Sequence, residues 1–319
     1  MGLRSAWNAI SAVFKGTGSP ATDWNRAADG QQSGQSEPTA ASLDPGAVGA
    51  LPSAANVPST SPALPQPGLV GLEGDLAGNH IEIGDNITLV GTIKGQGNVI
   101  RIGASQNPQT LNLYVFGHDN EILIGSGSLL QNLRIEIGSV RWMCSRARIR
   151  IGDGFSIASQ GRFILPNSGN LLEIGDRCMF SSNIVVRGGE YPHLVFDNES
   201  GAYLDVSDGI FIGNHVWVGE GVFIGKSVTL PDDCIVGTRS VVTKRFDETH
   251  CVIAGNPARI VKRSVRWVAN EFMLEEQFPA GHAAFSDTQI NKVNRAERER
   301  AKAKAVSEAQ SPAVTVETD

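Results

Sequence analysis

Aromatic residues make up only 6% of the 319 residues, too few for a core built from large rings. No run of 18 apolar residues occurs, which excludes an ordinary membrane-spanning helix. A net charge of −6 argues against a nucleic-acid-binding surface. The four cysteines, Cys144, Cys178, Cys234 and Cys251, are widely spaced and form no CxxC pair, so buried free thiols in a reducing compartment fit better than disulfides or a metal unit. There is no P-loop, no HExxH, and no GxGxxG opening a helix after a strand. The N-terminus carries Arg4 but no apolar stretch of leader length, which predicts a cytoplasmic protein, at most at the inner face of the membrane.

Glycine, by contrast, is plentiful, and in residues 207–267 it keeps time. Aliphatic-glycine pairs fall at Ile212-Gly213, Val218-Gly219, Ile224-Gly225 and Val236-Gly237, with Leu230-Pro231 on the remaining beat, a step of six each time. One inward aliphatic and one corner residue per step describe a short strand and a turn, repeated until the chain coils on itself. Valine and isoleucine suit half-buried strands, and glycine accepts corner backbone angles that a β-carbon disfavours. No single coil buries its own apolar side, so coils must stack. Upstream the repeated word changes to Asn-x-aliphatic-x-Ile-Gly, as in Asn79-His80-Ile81-Glu82-Ile83-Gly84, Asn98 to Gly103, Asn120 to Gly125 and Asn170 to Gly175. Spacing between these words is irregular, so 106–109 and 161–168 read as bulged corners or small loops. His80 and His118 read as exposed corner residues, and His215 as more exposed than functional.

Three regions follow. In residues 1–67, Leu3, Trp7, Ile10 and Val13-Phe14 repeat at helical spacing, which suggests a short docking helix, with membrane-surface contact as the second reading. After it comes a Ser/Ala/Pro/Gly/Gln stretch too poor in apolar residues to order itself. Residues 68–267 hold the coil. Residues 268–319 predict a short helix with Phe272, Met273 and Phe278 available to pack on the coil end, then a charged helix over 291–309 and a disordered tail. The coil's rhythm breaks after Val186 and resumes at Ile210, and an excursion from a rigid scaffold is where function tends to sit.

Ala254-Gly255-Asn256-Pro257-Ala258-Arg259-Ile260-Val261-Lys262 resembles the closing motif of the hexapeptide-repeat acyltransferases. Pro192-His193-Leu194-Val195-Phe196-Asp197, inside the excursion, resembles the His-x-aliphatic-x-Asp loop of the branch that O-acetylates sugars, including capsular polysaccharide and lipopolysaccharide acetyltransferases. The resemblance covers roughly residues 79–267. It implies an all-β, left-handed parallel β-helix, assembled as a homotrimer with sites between neighbouring coils. It also implies acetyl-CoA as co-substrate, a carbohydrate acceptor and no metal.

By that resemblance His193 is the general base, and a histidine is chemically suited because its proton exchanges near neutral pH. The carboxylate that orients it is Asp197 or Glu190, since the Ser-Asp of many relatives is replaced by Glu190-Tyr191-Pro192. Trp217, in Asn-His-Val-Trp-Val-Gly, resembles the tryptophan beside the family's active site, and Tyr191 is placed with it on the acceptor. Val236-Gly237-Thr238-Arg239-Ser240-Val241-Val242-Thr243-Lys244 resembles the unit that contacts the pantetheine arm, although Thr238 and Arg239 stand where Ala and Gly are usual. The cofactor residues implied are Gly219, Glu220, Gly237, Thr238, Thr243, Lys244, Arg259 and Lys262, the last three cations facing phosphates. Two rivals remain: acylation of a small acceptor, such as serine or a nucleotide-linked amino sugar, and a catalytically silent scaffold.

Overall fold

A computed structural model describes residues 68–69 and 71–310. The expectations for residues 1–67 and for the tail after 310 therefore fall outside the described residues. The chain winds through three parallel sheets of eight, seven and seven strands, as the left-handed parallel β-helix expected from sequence. The first sheet begins with Gly71–Gly74 and ends with Val241–Val242. The second runs from His80–Ile83 to Thr229–Leu230. The third runs from Leu129–Leu130 to Val252–Gly255, where an antiparallel return strand, Ala258–Lys262, closes the coil.

Register explains the six-residue step. On the second sheet Ile83, Ile102, Ile124, Ile151, Ile174, Ile212 and Leu230 stack one on the next through successive coils. Each isoleucine so buried contributes about 1.5–3 kcal/mol by removal from water. The next position in each coil is Gly84, Gly103, Gly125, Gly152, Gly175, Gly213 and finally Pro231. These glycines do not serve the purpose read from the sequence, because their φ angles are ordinary. A β-carbon on Gly152 would meet Asp176 Oδ1 at 2.2 Å, and one on Gly175 would meet Asn214 Oδ1 at 2.6 Å, so the requirement is close approach of the coil above. The left-handed angles fall instead on the following corner residues, including Arg177 (φ 52), His215 (φ 52) and Asp233 (φ 59).

Asx side chains stitch these corners. At the second-to-third corner Asp153 Oδ1 accepts from Ser126 N–H, Asp176 Oδ1 from Asp153 N–H, Asn214 Oδ1 from Asp176 N–H, and Asp232 Oδ1 from Asn214 N–H, all at 2.7–2.9 Å. The asparagine that opens each upstream word forms a second ladder at another corner. Asn98 donates from its backbone N–H and its side-chain amide to Asn79 Oδ1, Asn120 does the same to Asn98 Oδ1, and Ala147 N–H donates to Asn120 Oδ1. Asn98 and Asn120 are buried. Replacing Asn120 by leucine strands Ala147 N–H and Cys144 C=O, while Asn98 Oδ1 keeps only the backbone N–H of residue 120. The expected cost is about 2–4 kcal/mol, read as a fall in the urea midpoint with unchanged slope.

The interior is mostly aliphatic, and at its centre three rings, Phe155, Phe163 and Phe180, pack edge to face at 5.1–6.2 Å. Phe163 corrects one expectation. Residues 161–168 are not a loop throughout, since Arg162–Leu165 is a strand of the first sheet with Phe163 and Leu165 inward. The strand was hidden because it ends in Pro166 rather than in the Ile-Gly word. All four cysteines are free and buried. Burial pushes the thiols of Cys144, Cys178 and Cys234 up to about 12, which removes their nucleophilic form at neutral pH. Beyond the coil, helices span Leu274–Gln277, Pro279–Ser286 and Gln289–Gln310.

Candidate active site

The excursion leaves the first sheet after Val185–Arg187 and rejoins the second at Ile210–Ile212. It is a small hairpin. Leu204 N–H donates to Val195 C=O and Asp197 N–H to Ala202 C=O, both at 2.8 Å, and the rings of Phe196 and Tyr203 face each other at 5.5 Å. Its turn is held by Asp197, whose Oδ1 accepts from the backbone N–H and hydroxyl of Ser200, each at 2.7 Å, and from Glu199 N–H. Those bonds, Ser200 N–H foremost, hold the Asp197 carboxyl below its ordinary range.

His193 sits exposed on the outgoing arm, its N–H bonded to Glu190 C=O at 3.1 Å. The pairing expected from sequence does not form within the chain. Asp197 is spent on its own turn, and Glu190 Oε2 accepts from Arg187 Nε at 3.1 Å. Both carboxylates therefore shape the hairpin and leave the imidazole free of them.

The hairpin's base is held by a residue the sequence reading passed over. The Asp205 side chain is fully buried. One of its carboxylate oxygens pairs with Lys226 Nζ, while the other accepts from Glu190 N–H at 2.8 Å, Asn167 Nδ2 at 2.9 Å and Tyr203 Oη at 3.4 Å. Burial pushes this carboxyl's pKa up, but the Lys226 bond, then Asn167 and Glu190 N–H, outweigh it and hold it below the ordinary value. Trp142, from a short turn in a lower coil, packs edge-on against Tyr191 with centroids 5.6 Å apart. The only sequence sign of Asp205 was an acid between two aliphatics, Leu204 and Val206, where the chain returns to the coil.

Trp217 is on a different face, the third sheet, where its Nε1 donates to Ser181 Oγ at 3.4 Å. It shares that region with Trp267, 6.0 Å away between centroids. Trp267 stacks on His215 at 4.0 Å and 10°, and donates from Nε1 to His215 C=O at 3.0 Å. His215 Nδ1 lies 2.7 Å from Asp233 Oδ1. This histidine is half-buried, not exposed as expected, because the returning C-terminal strand brings Trp267 over it.

The implied cofactor residues divide between the third-to-first corner, the first-to-second corner that carries Thr243 and Lys244, and the closing hairpin. Gly219 and Gly237 stack in successive coils with Ala254 next to Gly237, and a β-carbon on Gly237 would meet Ala254 Cβ at 2.9 Å. Glu220 and Thr238 are exposed at the same corner, whereas Thr243 follows the first-sheet strand Val241–Val242 and lies at the next corner, above Gly225. Lys244, Arg259 and Lys262 are exposed too, the last two on the closing hairpin. A shelf of small residues bordered by cations suits a thin, polyanionic thioester carrier.

The parallel coil carries the resemblance to the sugar O-acetylating branch of the hexapeptide-repeat acyltransferases, which holds against the proteins this chain is similar to. No family model matches the chain. Chloramphenicol acetyltransferase of Agrobacterium fabrum (strain C58 / ATCC 33970) is 30% identical over 34% of this chain. Polysialic acid O-acetyltransferase of Escherichia coli O1:K1 / APEC is 29% identical over 50% of it. The matches span 60% and 46% of those relatives' own lengths. Among solved structures, the polysialic acid O-acetyltransferase OatWY superposes with a TM-score of 0.52 at 26% identity, covering 60% of this chain and 88% of that one.

Proposed function

We propose that this protein is an acetyl-CoA-dependent O-acetyltransferase that modifies a hydroxyl of a carbohydrate, in a surface polysaccharide or its precursor. One observation carries the reading: an unencumbered imidazole, His193, stands on a hairpin anchored to a rigid coil that superposes on a polysialic acid O-acetyltransferase. Acetyl-CoA supplies the activated acyl group. His193 takes the proton from the acceptor hydroxyl as its oxygen attacks, and passes that proton to the departing sulfur. A neutral alcohol attacks too slowly without this help. A backbone N–H at a coil corner receives the charge developing on the carbonyl oxygen.

The site is shared between subunits. His193 and Trp217 lie on different faces of one coil, so a neighbouring coil must bring its Trp217 and its Gly219–Gly237 column under this hairpin. The hairpin's exposed Leu194, Val195, Phe196, Leu204 and Val206 support that reading, because so contiguous an apolar crest on a small projection marks a docking surface. The assembly is a homotrimer, and a monomer is inactive.

Calorimetry with coenzyme A, followed by acetyl transfer to a sialic acid polymer and to neutral oligosaccharides, tests the reading. Replacing Arg259 and Lys262 together by alanine should weaken coenzyme A binding about tenfold while turnover at saturation stays within twofold. Absence of any coenzyme A binding to the unmodified protein would leave the silent scaffold as the better account.

A further inference from the structure

His215 and Asp233 occupy the second-to-third corner in consecutive coils, both in the left-handed region, and Asp233 N–H donates to Asn214 C=O at 3.0 Å. That register brings Asp233 Oδ1 to 2.7 Å from His215 Nδ1. An ionised carboxylate only accepts, so Nδ1 carries the proton and the imidazole cannot turn over without losing the bond. Its broad face is covered by Trp267, parallel to within 10° at 4.0 Å, whose Nε1 donates to His215 C=O at 3.0 Å. Trp267 is thereby fixed twice, ring on ring and nitrogen on carbonyl. It is 6% exposed, yet it stands apart from the aliphatic columns of the core. Its indole also meets Trp217, tilted by 46° with centroids 6.0 Å apart.

Trp217 needs such a support. Along the coil axis Met179 and Ile235 flank it in register, but among the described residues its ring nitrogen has only a 3.4 Å bond to Ser181 Oγ. It is half-buried on a strand two residues long, where a large ring can change rotamer unless a neighbour stands beside it. Trp267 is that neighbour. We propose that Trp267 is a positioning residue for the acceptor: locked on His215 and Asp233, it fixes the rotamer of Trp217, and through Trp217 the placement of the sugar under the histidine hairpin of a neighbouring coil. The inference rests on the O-acetyltransfer proposed above and adds to it three residues that act through Trp217 rather than on the reacting atoms. Placement matters because a displacement of about 1 Å can slow a reaction by as much as about 10².

Full-length Trp267→Leu, assayed by thiol release with a sialic acid polymer as acceptor, should lose about tenfold in kcat/KM for the acceptor while KM for acetyl-CoA stays within about twofold. Trp267→Phe keeps a ring over His215 and should recover most of that loss. Labelling with 5-fluorotryptophan supplies a readout that does not depend on activity. The fluorine resonance of Trp217, identified by its loss in Trp217→Phe, should broaden or split in Trp267→Leu as the ring samples a second rotamer, and should stay single in Trp267→Phe. An active chain in which that resonance remains one sharp line in Trp267→Leu would overturn the role of Trp267. So would losses for acceptor and acetyl-CoA that fall together with the thermal midpoint, the mark of a general structural part. No acetyl transfer by the unmodified chain, to this polymer or to neutral oligosaccharides, would instead overturn the O-acetyltransfer reading on which the role rests.

Discussion

Alanine at position 193 should lower turnover by about 10² or more, leaving coenzyme A affinity, oligomeric state and thermal midpoint where they were. The size follows from what is removed. The acceptor hydroxyl holds its proton tightly at neutral pH, and within the described residues no other histidine stands on the hairpin. Its structural cost should be small, because the His193 ring is exposed and only its backbone N–H is bonded, to Glu190 C=O. Surface changes of that kind stay within about 0.5 kcal/mol. Turnover that survives the substitution, measured as thiol release with an accepted glycan, would take His193 out of the mechanism. Asp197→Asn provides the contrast. Its turn-capping bonds to Ser200 and Glu199 can still form to an amide oxygen, so the variant should keep most activity if the carboxylate does not assist the imidazole.

That contrast marks where the sequence was readable. The step of six and the Asn-x-aliphatic-x-Ile-Gly word are local patterns, and the coil repeats them in register, so strands such as Leu171–Ile174 and Ile210–Ile212 could be placed. The excursion was readable because it breaks the pattern. What could not be read is what the coil brings together from far along the chain. Asp205 meets Lys226, 21 residues later, and Asn167, 38 residues earlier, and nothing local distinguishes it from a solvated acid. His215 and Trp267 are 52 residues apart, and their stacking depends on the antiparallel return of Ala258–Lys262. Glycine was seen in the right places for a different reason, since the corners use it for close approach and put the left-handed angle on the residues that follow.

Replacing Asp205 by leucine should free the hairpin without unwinding the coil. The carboxylate gathers Lys226, Asn167, Glu190 N–H and Tyr203 at the hairpin base, and without it the longer bonds of Lys226 Nζ to Leu204 C=O and of Tyr191 N–H to Asn167 Oδ1, each 3.3 Å, remain. Breaking a buried ion pair from one side costs about 3–5 kcal/mol. Lys226 is 30% exposed and can rehydrate, which lowers the expected cost to about 2–3 kcal/mol. That loss falls on the hairpin, because the stacked isoleucine columns do not pass through Asp205. Protease cleavage within residues 194–204 should therefore quicken about tenfold, and kcat/KM should drop about tenfold with coenzyme A affinity unchanged. Adding Lys226→Met to Asp205→Leu should recover part of the stability, by removing the stranded charge, but little of the activity. Acid should mimic the single change. The folded carboxyl titrates below its unfolded value of about 3.9, so its contribution is complete above that value and is lost as pH falls through the lower, folded one. Hairpin cleavage by an acid-active protease should accordingly accelerate only below about pH 4, and a hairpin equally resistant at pH 3 and pH 7 would show that Asp205 does not hold it.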